Sequence, residues 1–258
     1  MSIDRELLAK ANAGDTDAML DVGFAYYREQ NFAKVEEFWT RAAEKGDRRA
    51  SYHLLRGLYG IKDAMPSIPK FCYWLNKAAD PSGLDSGWAR IMLGALRCGA
   101  MREGWVYAFD VEVTNGSFHI LEGIDFDPAE GIRLVENGMK VAEERGHALD
   151  NDDYDAIAKA WNNRFQHFRK NNIEQSKLYP AGYEPLDDLR QSIKYIRKCI
   201  EVFPENHPNR DLIIEANNRI IAITEKEIAS WEAAIKAKQD AVNSLDTLLK
   251  SFDEGTPI

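Results

Sequence analysis

The sequence predicts a mainly α protein, an α-α superhelix: a solenoid of helix-turn-helix repeats with a small β-hairpin inserted and a C-terminal hairpin of long helices. Three observations carry that prediction. Residues 11–57 hold a pattern that is written twice and returns in part a third time. Residues 105–120 alternate apolar and polar around an Asn-Gly pair. From Leu186 onward apolar residues fall into heptad steps. Self-similarity at a period of about 32–37 residues marks stacked two-helix units, each of which exposes an apolar face that its neighbour must cover.

The first cycle runs from Ala11-Asn12-Ala13-Gly14-Asp15 through Ala18, Val22, Gly23 and Tyr26 to Phe38, Arg41, Ala42, Ala43 and Gly46. The second restarts at Gly46-Asp47, passes Ala50 and Leu54, and closes with Trp74, Lys77, Ala78 and Ala79. Ala18, Val22 and Tyr26 stand at i, i+4 and i+8, which is one buried stripe of a helix. Gly14, Gly46 and Gly83 fall where helices stop, since glycine tolerates the left-handed backbone of a helix end. Asp15 and Asp47 follow at once, placed to accept from the free N–H groups that open the next helix. Helices are expected over residues 3–13, 16–29, 32–45, 48–59, 67–79 and 86–99.

The period then breaks. Trp105, Tyr107, Phe109, Val111 and Val113 alternate up to Asn115-Gly116, and Phe118 and Ile120 resume beyond it. Alternation around Asn-Gly predicts a hairpin over about 105–121, placed between the two helices of the third unit. The second of those helices starts at Asp127-Pro128, with proline at its first position. Asp150-Asn151-Asp152-Asp153-Tyr154-Asp155 has the look of a calcium loop, but Asp155 stands where such a loop needs glycine and Trp161 where it needs glutamate. It reads instead as an acidic cap on a helix carrying Tyr154, Ile157, Trp161, Phe165 and Phe168. Residues 173–185 form a polar linker. Two domains result: a solenoid over 1–172 and a helical hairpin over 186–252.

In that hairpin, Leu186, Leu189, Ile193, Ile196, Ile200 and Phe203 alternate steps of three and four. One uninterrupted helix then covers about 209–252, with Ile214, Ile221, Ile228, Ile235, Val242 and Leu249 seven apart. It would run roughly 60 Å, against about 27 Å for the 186–203 helix. The shorter helix cannot cover the longer one, so Ile235, Val242 and Leu249 must bury against the solenoid or a second copy of the chain.

The repeat pattern resembles the Sel-one-like repeats, relatives of the tetratricopeptide repeats. The first unit matches at Ala11, Gly14, Ala18, Val22, Gly23, Tyr26, Lys34, Phe38, Arg41, Ala42, Ala43 and Gly46. The second matches at Gly46, Ala50, Leu54, Lys70, Trp74, Lys77, Ala78 and Ala79, with Leu55 and Leu58 in place of the family's Gly and Tyr. A third starts at Ala89, Leu93 and Gly94 and then departs. The resemblance spans residues 5–100 and, more loosely, 126–148. It implies an α-solenoid that assembles protein complexes and implies no catalytic residue.

Function is read from what remains. The chain has 258 residues and a net charge of -9, with 33 Lys and Arg against 42 Asp and Glu. That balance opposes nucleic acid as a partner, because phosphate binding needs a basic surface. No stretch of about 18 apolar residues predicts a membrane span, and the N-terminus has no secretory h-region. Cys72, Cys98 and Cys199 are far apart and lack metal-ligand spacing, which reads as reduced core thiols of a cytoplasmic protein. No cofactor or metal motif is present in the sequence. By the resemblance, the first helix of each pair lines a concave face. Its inward positions are Leu20, Phe24 and Tyr27, then Tyr52, Arg56 and Tyr59, then Trp88 and Ile91. Those apolar positions either form a partner-binding groove or pack on the 3–13 helix or the hairpin. Arg49 and Arg56 either receive an acidic peptide or form a solvated charged face. The leading expectation is a non-enzymatic adaptor that binds a protein or peptide segment on the concave face. The alternatives are a homodimer assembled through 209–252 and an enzyme with Cys98, His119 or His147 between hairpin and solenoid.

Overall fold

A computed structural model describes residues 4–58, 68–80, 87–101, 121, 123–171 and 183–253. Among these described residues the chain forms ten α-helices and no strand. They are α1 (Arg5–Ala13), α2 (Thr16–Arg28), α3 (Phe32–Glu44), α4 (Arg48–Tyr52), α5 (Ile68–Ala79), α6 (Gly87–Arg97), α7 (Pro128–Glu144), α8 (Asn151–Asn171), α9 (Pro185–Glu201) and α10 (Arg210–Asp253). Each helix packs on the next in sequence, and α6 also touches α8. All but Leu121 of the hairpin expected over 105–121, together with Tyr59, Gly83 and most of the 173–185 linker, lies outside the described residues.

Local chemistry sets the helix ends. Gly14 (φ 103°) and Gly46 (φ 89°) are left-handed, and each ends its helix in the same way. Gly14 N–H donates to Ala11 O and Asp15 N–H to Lys10 O; Gly46 N–H donates to Ala43 O and Asp47 N–H to Ala42 O. These paired bonds satisfy the last carbonyls of α1 and α3. The Asp15 carboxylate then accepts from Ala18 N–H at 2.9 Å, and that of Asp47 from Arg49 N–H at 2.9 Å. Each Gly-Asp pair therefore closes one helix and opens another. Asp127 caps α7 likewise, accepting from Glu130 N–H, with Pro128 in its first turn.

One element departs from expectation. The helix expected over 48–59 is α-helical only to Tyr52 and widens into a π-helical turn over His53–Leu58. Leu54, Leu55 and Leu58 are fully buried on that turn. Beyond it, α6 and α7 approach through glycines. A Cβ at Gly87 would meet Gly138 O at 2.5 Å, and one at Gly94 would meet Gly131 O at 2.4 Å. The two pairs are in antiparallel register along the helices, so backbone rests on backbone over two turns.

Asp150 and Asp153 cap α8 reciprocally: Asp150 N–H donates to the Asp153 carboxylate and Asp153 N–H to that of Asp150. Asp153 is fully buried and also accepts from Trp88 Nε1 at 2.9 Å, tying α8 to α6. Arg164 on α8 clamps Asp188 on α9 with two bonds, of 2.9 and 2.6 Å. In α10, Ile221 and Thr224 are buried and Ile228 and Trp231 half-buried, whereas Ile235, Val242, Leu245 and Leu249 are exposed. No described helix is long and apolar enough to cross a membrane.

Candidate functional site

A cleft of about 750 Å³ opens where α4, α6 and the α7–α8 connection meet. Its walls come from Arg48, Arg49, Ser51, Tyr52, His53 and Leu55 on one side and Trp88 and Ala89 on another. Arg145, Gly146, His147, Ala148 and Leu149 close the third, and Ala78 completes the lining. The last wall exists because Gly146 (φ 65°) turns the chain out of α7, with Gly146 N–H on Glu143 O and His147 N–H on Ala142 O.

Aromatic packing fixes the floor. Tyr52 meets Trp88 edge to face at 6.0 Å, and His53 lies 5.4 Å from Trp39 and 4.8 Å from Phe24. This chain of rings runs from the α2–α3 core into the cleft, and Trp88 is anchored at its far end by Asp153. Packing between α4, α6 and α8 thus fixes the aromatic floor of the site.

The electrostatics oppose those of the whole chain. The lining has three arginines, two histidines and no carboxylate, in a protein of net charge -9. Arg49 is paired with Asp47 and Asp17, and the bonds from Asp47 hold its guanidinium firmly in the charged form. Burial lowers the His53 pKa below its ordinary 6.5, against the pull of Asp47, so its imidazole is neutral at neutral pH. The Ser51 hydroxyl lines the cleft, is 1% exposed, and has no hydrogen-bond partner among the described residues. A buried hydroxyl without a partner forfeits roughly 1–3 kcal/mol, which a ligand acceptor would restore.

The structure separates the residues singled out from sequence into two groups. Arg49, Tyr52 and Trp88 come together at the cleft. Leu20 is buried in the core, and Phe24 and Tyr27 are half-buried around Trp39. The Arg56 side chain and Tyr59 lie outside the described residues. Arg48, Ser51, Arg145 and Leu149 were not foreseen, and His147 was singled out only as a possible partner of Cys98; the Arg48-Arg49 pair following the Asp47 cap gave the only local sign.

Cys98 lies at the other end of α6 from the cleft, fully buried, with its thiol facing Pro128 O at 3.6 Å. Burial pushes that thiol well above its ordinary pKa, away from a reactive thiolate. His119 is outside the described residues, while His147 lines the cleft. Among the described residues no three His, Cys, Asp or Glu side chains converge as metal ligands.

No protein-family model, curated protein or solved structure matches the chain.

Proposed function

We propose that the chain is a helical-repeat adaptor, a solenoid of the Sel-one-like kind, that grips an acidic segment of a partner protein in the α4–α6 cleft. The observation that carries this reading is the arginine-lined, carboxylate-free cleft in an otherwise anionic protein. A carboxylate entering it accepts from the Ser51 hydroxyl and pairs with Arg48, an exposed arginine at the rim. An apolar neighbour of that carboxylate packs on Tyr52, Leu55 and Leu149. Aromatic residues and arginine are the types that dominate binding energy at protein interfaces, and a charge-assisted guanidinium–carboxylate bond supplies direction as well as energy. The successive Gly-Asp junctions and the packing of each helix on the next support the repeat reading. The role is binding, not catalysis: the cleft offers cationic and apolar groups, and among the described residues no base hydrogen-bonds the buried Ser51 hydroxyl.

Selection of random displayed peptides on the full-length chain tests this reading. Asp or Glu beside an aromatic or aliphatic residue should be enriched, and Arg48→Glu should abolish the enrichment. Enrichment of basic peptides, or a selection unchanged by Arg48→Glu, would overturn it.

A further inference from the structure

A second surface, far from the cleft, points to a partner of different kind. The heptad seam of α10 is continuous, but its two halves have different fates. Along the first half, Ile221 and Thr224 are buried, and Ile228 and Trp231 pack on Phe165, Leu186 and Leu189 of α8 and α9. Ion pairs Arg190–Glu232 (2.8 Å) and Arg197–Glu225 (3.0 Å) hold α9 antiparallel to α10 on that face. At this register α9 begins level with about residue 237 of α10, counting equal rise on both helices. Around and beyond that point the seam is uncovered: Ile235, just short of it, is 55% exposed, and Val242 42%, Leu245 59% and Leu249 62% follow.

We infer that this half of α10 is covered by the same half of α10 in a second copy of the chain, running antiparallel. Continuity of the seam gives the surface, and α9 decides the direction. A parallel second helix on this face would run on into the space that α9 fills. An antiparallel one meets α9 only over its last turn, so most of the second copy's segment extends the layer that α9 starts. Charge selects the same direction. In a parallel pair the seam position Lys238 would face its own copy. In the antiparallel pair that sets Val242 opposite the second copy's Leu245, Lys238 lies opposite its Leu249. The Lys238 stem then packs on leucine while its ammonium reaches Asp246 of that copy, one turn away. Ala234 and Ala241 flank the seam and leave room for close approach. The dimer carries its two clefts at opposite ends, which doubles the sites available to a partner with repeated acidic segments.

Two measurements on the full chain test this. Sedimentation equilibrium at micromolar concentration should give twice the chain mass of 29.3 kDa, falling to one chain for Val242→Asp with Leu249→Asp, which touch only exposed positions. Wild type that remains a single chain at ~100 µM overturns the proposal, including the case where another protein covers the seam. Direction is read by oxidation, which the native cysteines do not confuse because all three are buried. Lys238→Cys mixed with Leu249→Cys should give a disulfide-linked dimer, and neither variant should link to itself. Self-linking of Leu249→Cys would overturn the antiparallel arrangement, since its two copies would stand about 16 Å apart along the axis in that register.

Discussion

The indole of Trp39 lies on the backbone of Gly23, so close that a Cβ there would sit 2.1 Å from its Nε1. The same Nε1–H donates to Leu20 O at 3.3 Å, and Trp39 is 1% exposed. Gly23 is thus the space into which the largest side chain of α3 fits. By helix propensity alone Gly23→Ala would gain about 1 kcal/mol. The overlap reverses the sign, because α2 must move off α3, and a net loss of about 1–3 kcal/mol is expected from chemical denaturation. Adding Trp39→Leu should recover part of the loss due to Gly23→Ala. By the sequence pattern, Leu55 and Leu75, both fully buried, stand at the corresponding positions further along the chain.

The α6–α7 crossing makes a similar demand at two points. Gly138→Ala would press its Cβ on Gly87 O at 2.5 Å and on Ile91 N at 2.8 Å. Backbone atoms cannot rotate aside, so a loss of roughly 1–3 kcal/mol is expected. Gly146→Ala, where a Cβ meets nothing within 4 Å, tests a different cost: only the left-handed φ of 65° opposes it. The crossing variant should separate α6 from α7 and raise amide exchange there. Gly146→Ala should leave exchange in both helices nearly unchanged.

Asp188 is fully buried, and Arg164 and the Tyr183 hydroxyl supply its hydrogen bonds. Arg164→Met strands the carboxylate and should cost about 3–5 kcal/mol. Arg164→Met combined with Asp188→Leu removes both charges, and most of that loss should return. Denaturant midpoints of the single and double variants measure the difference directly.

Burial lowers the pKa of His53 and of His167 below the ordinary 6.5. The unfolded chain therefore binds more protons than the native one as pH falls through 6.5. Stability from these groups is full above that pH and declines below it, levelling off once the folded-state values are passed. Melting temperature should fall between pH 7.5 and 5.5, a window well above the carboxylate range. His53→Gln should flatten that slope relative to wild type, whatever it does to stability at pH 7.5.

What was legible in the sequence was what is local. Gly14-Asp15 and Gly46-Asp47 announce helix ends because their backbone and side-chain bonds lie within a few residues. Pro128 and the heptads of α10 announce themselves for the same reason. The pairing of Gly87 with Gly138 and of Gly94 with Gly131 was not legible, since no residue along α6 shows which backbone it will meet. The cleft was half legible for a related reason. Arg49, Tyr52 and Trp88 follow from repeat spacing, but Arg145 to Leu149 reach the site only through the α6–α7 crossing. The π turn at His53 gave no local sign, and with it the placement of Ser51 and His53 was hidden.

The central claim is that the α4–α6 cleft takes an anionic peptide. It is tested most directly by fluorescence anisotropy, using a labelled peptide from the displayed selection on wild type, Arg48→Glu and Ser51→Ala at pH 7.5. The account predicts saturable binding to wild type, a loss of tenfold or more in Arg48→Glu, and a smaller loss in Ser51→Ala, with all three weakening as salt is raised. Equal affinity for the three proteins, or binding indifferent to salt, would contradict it.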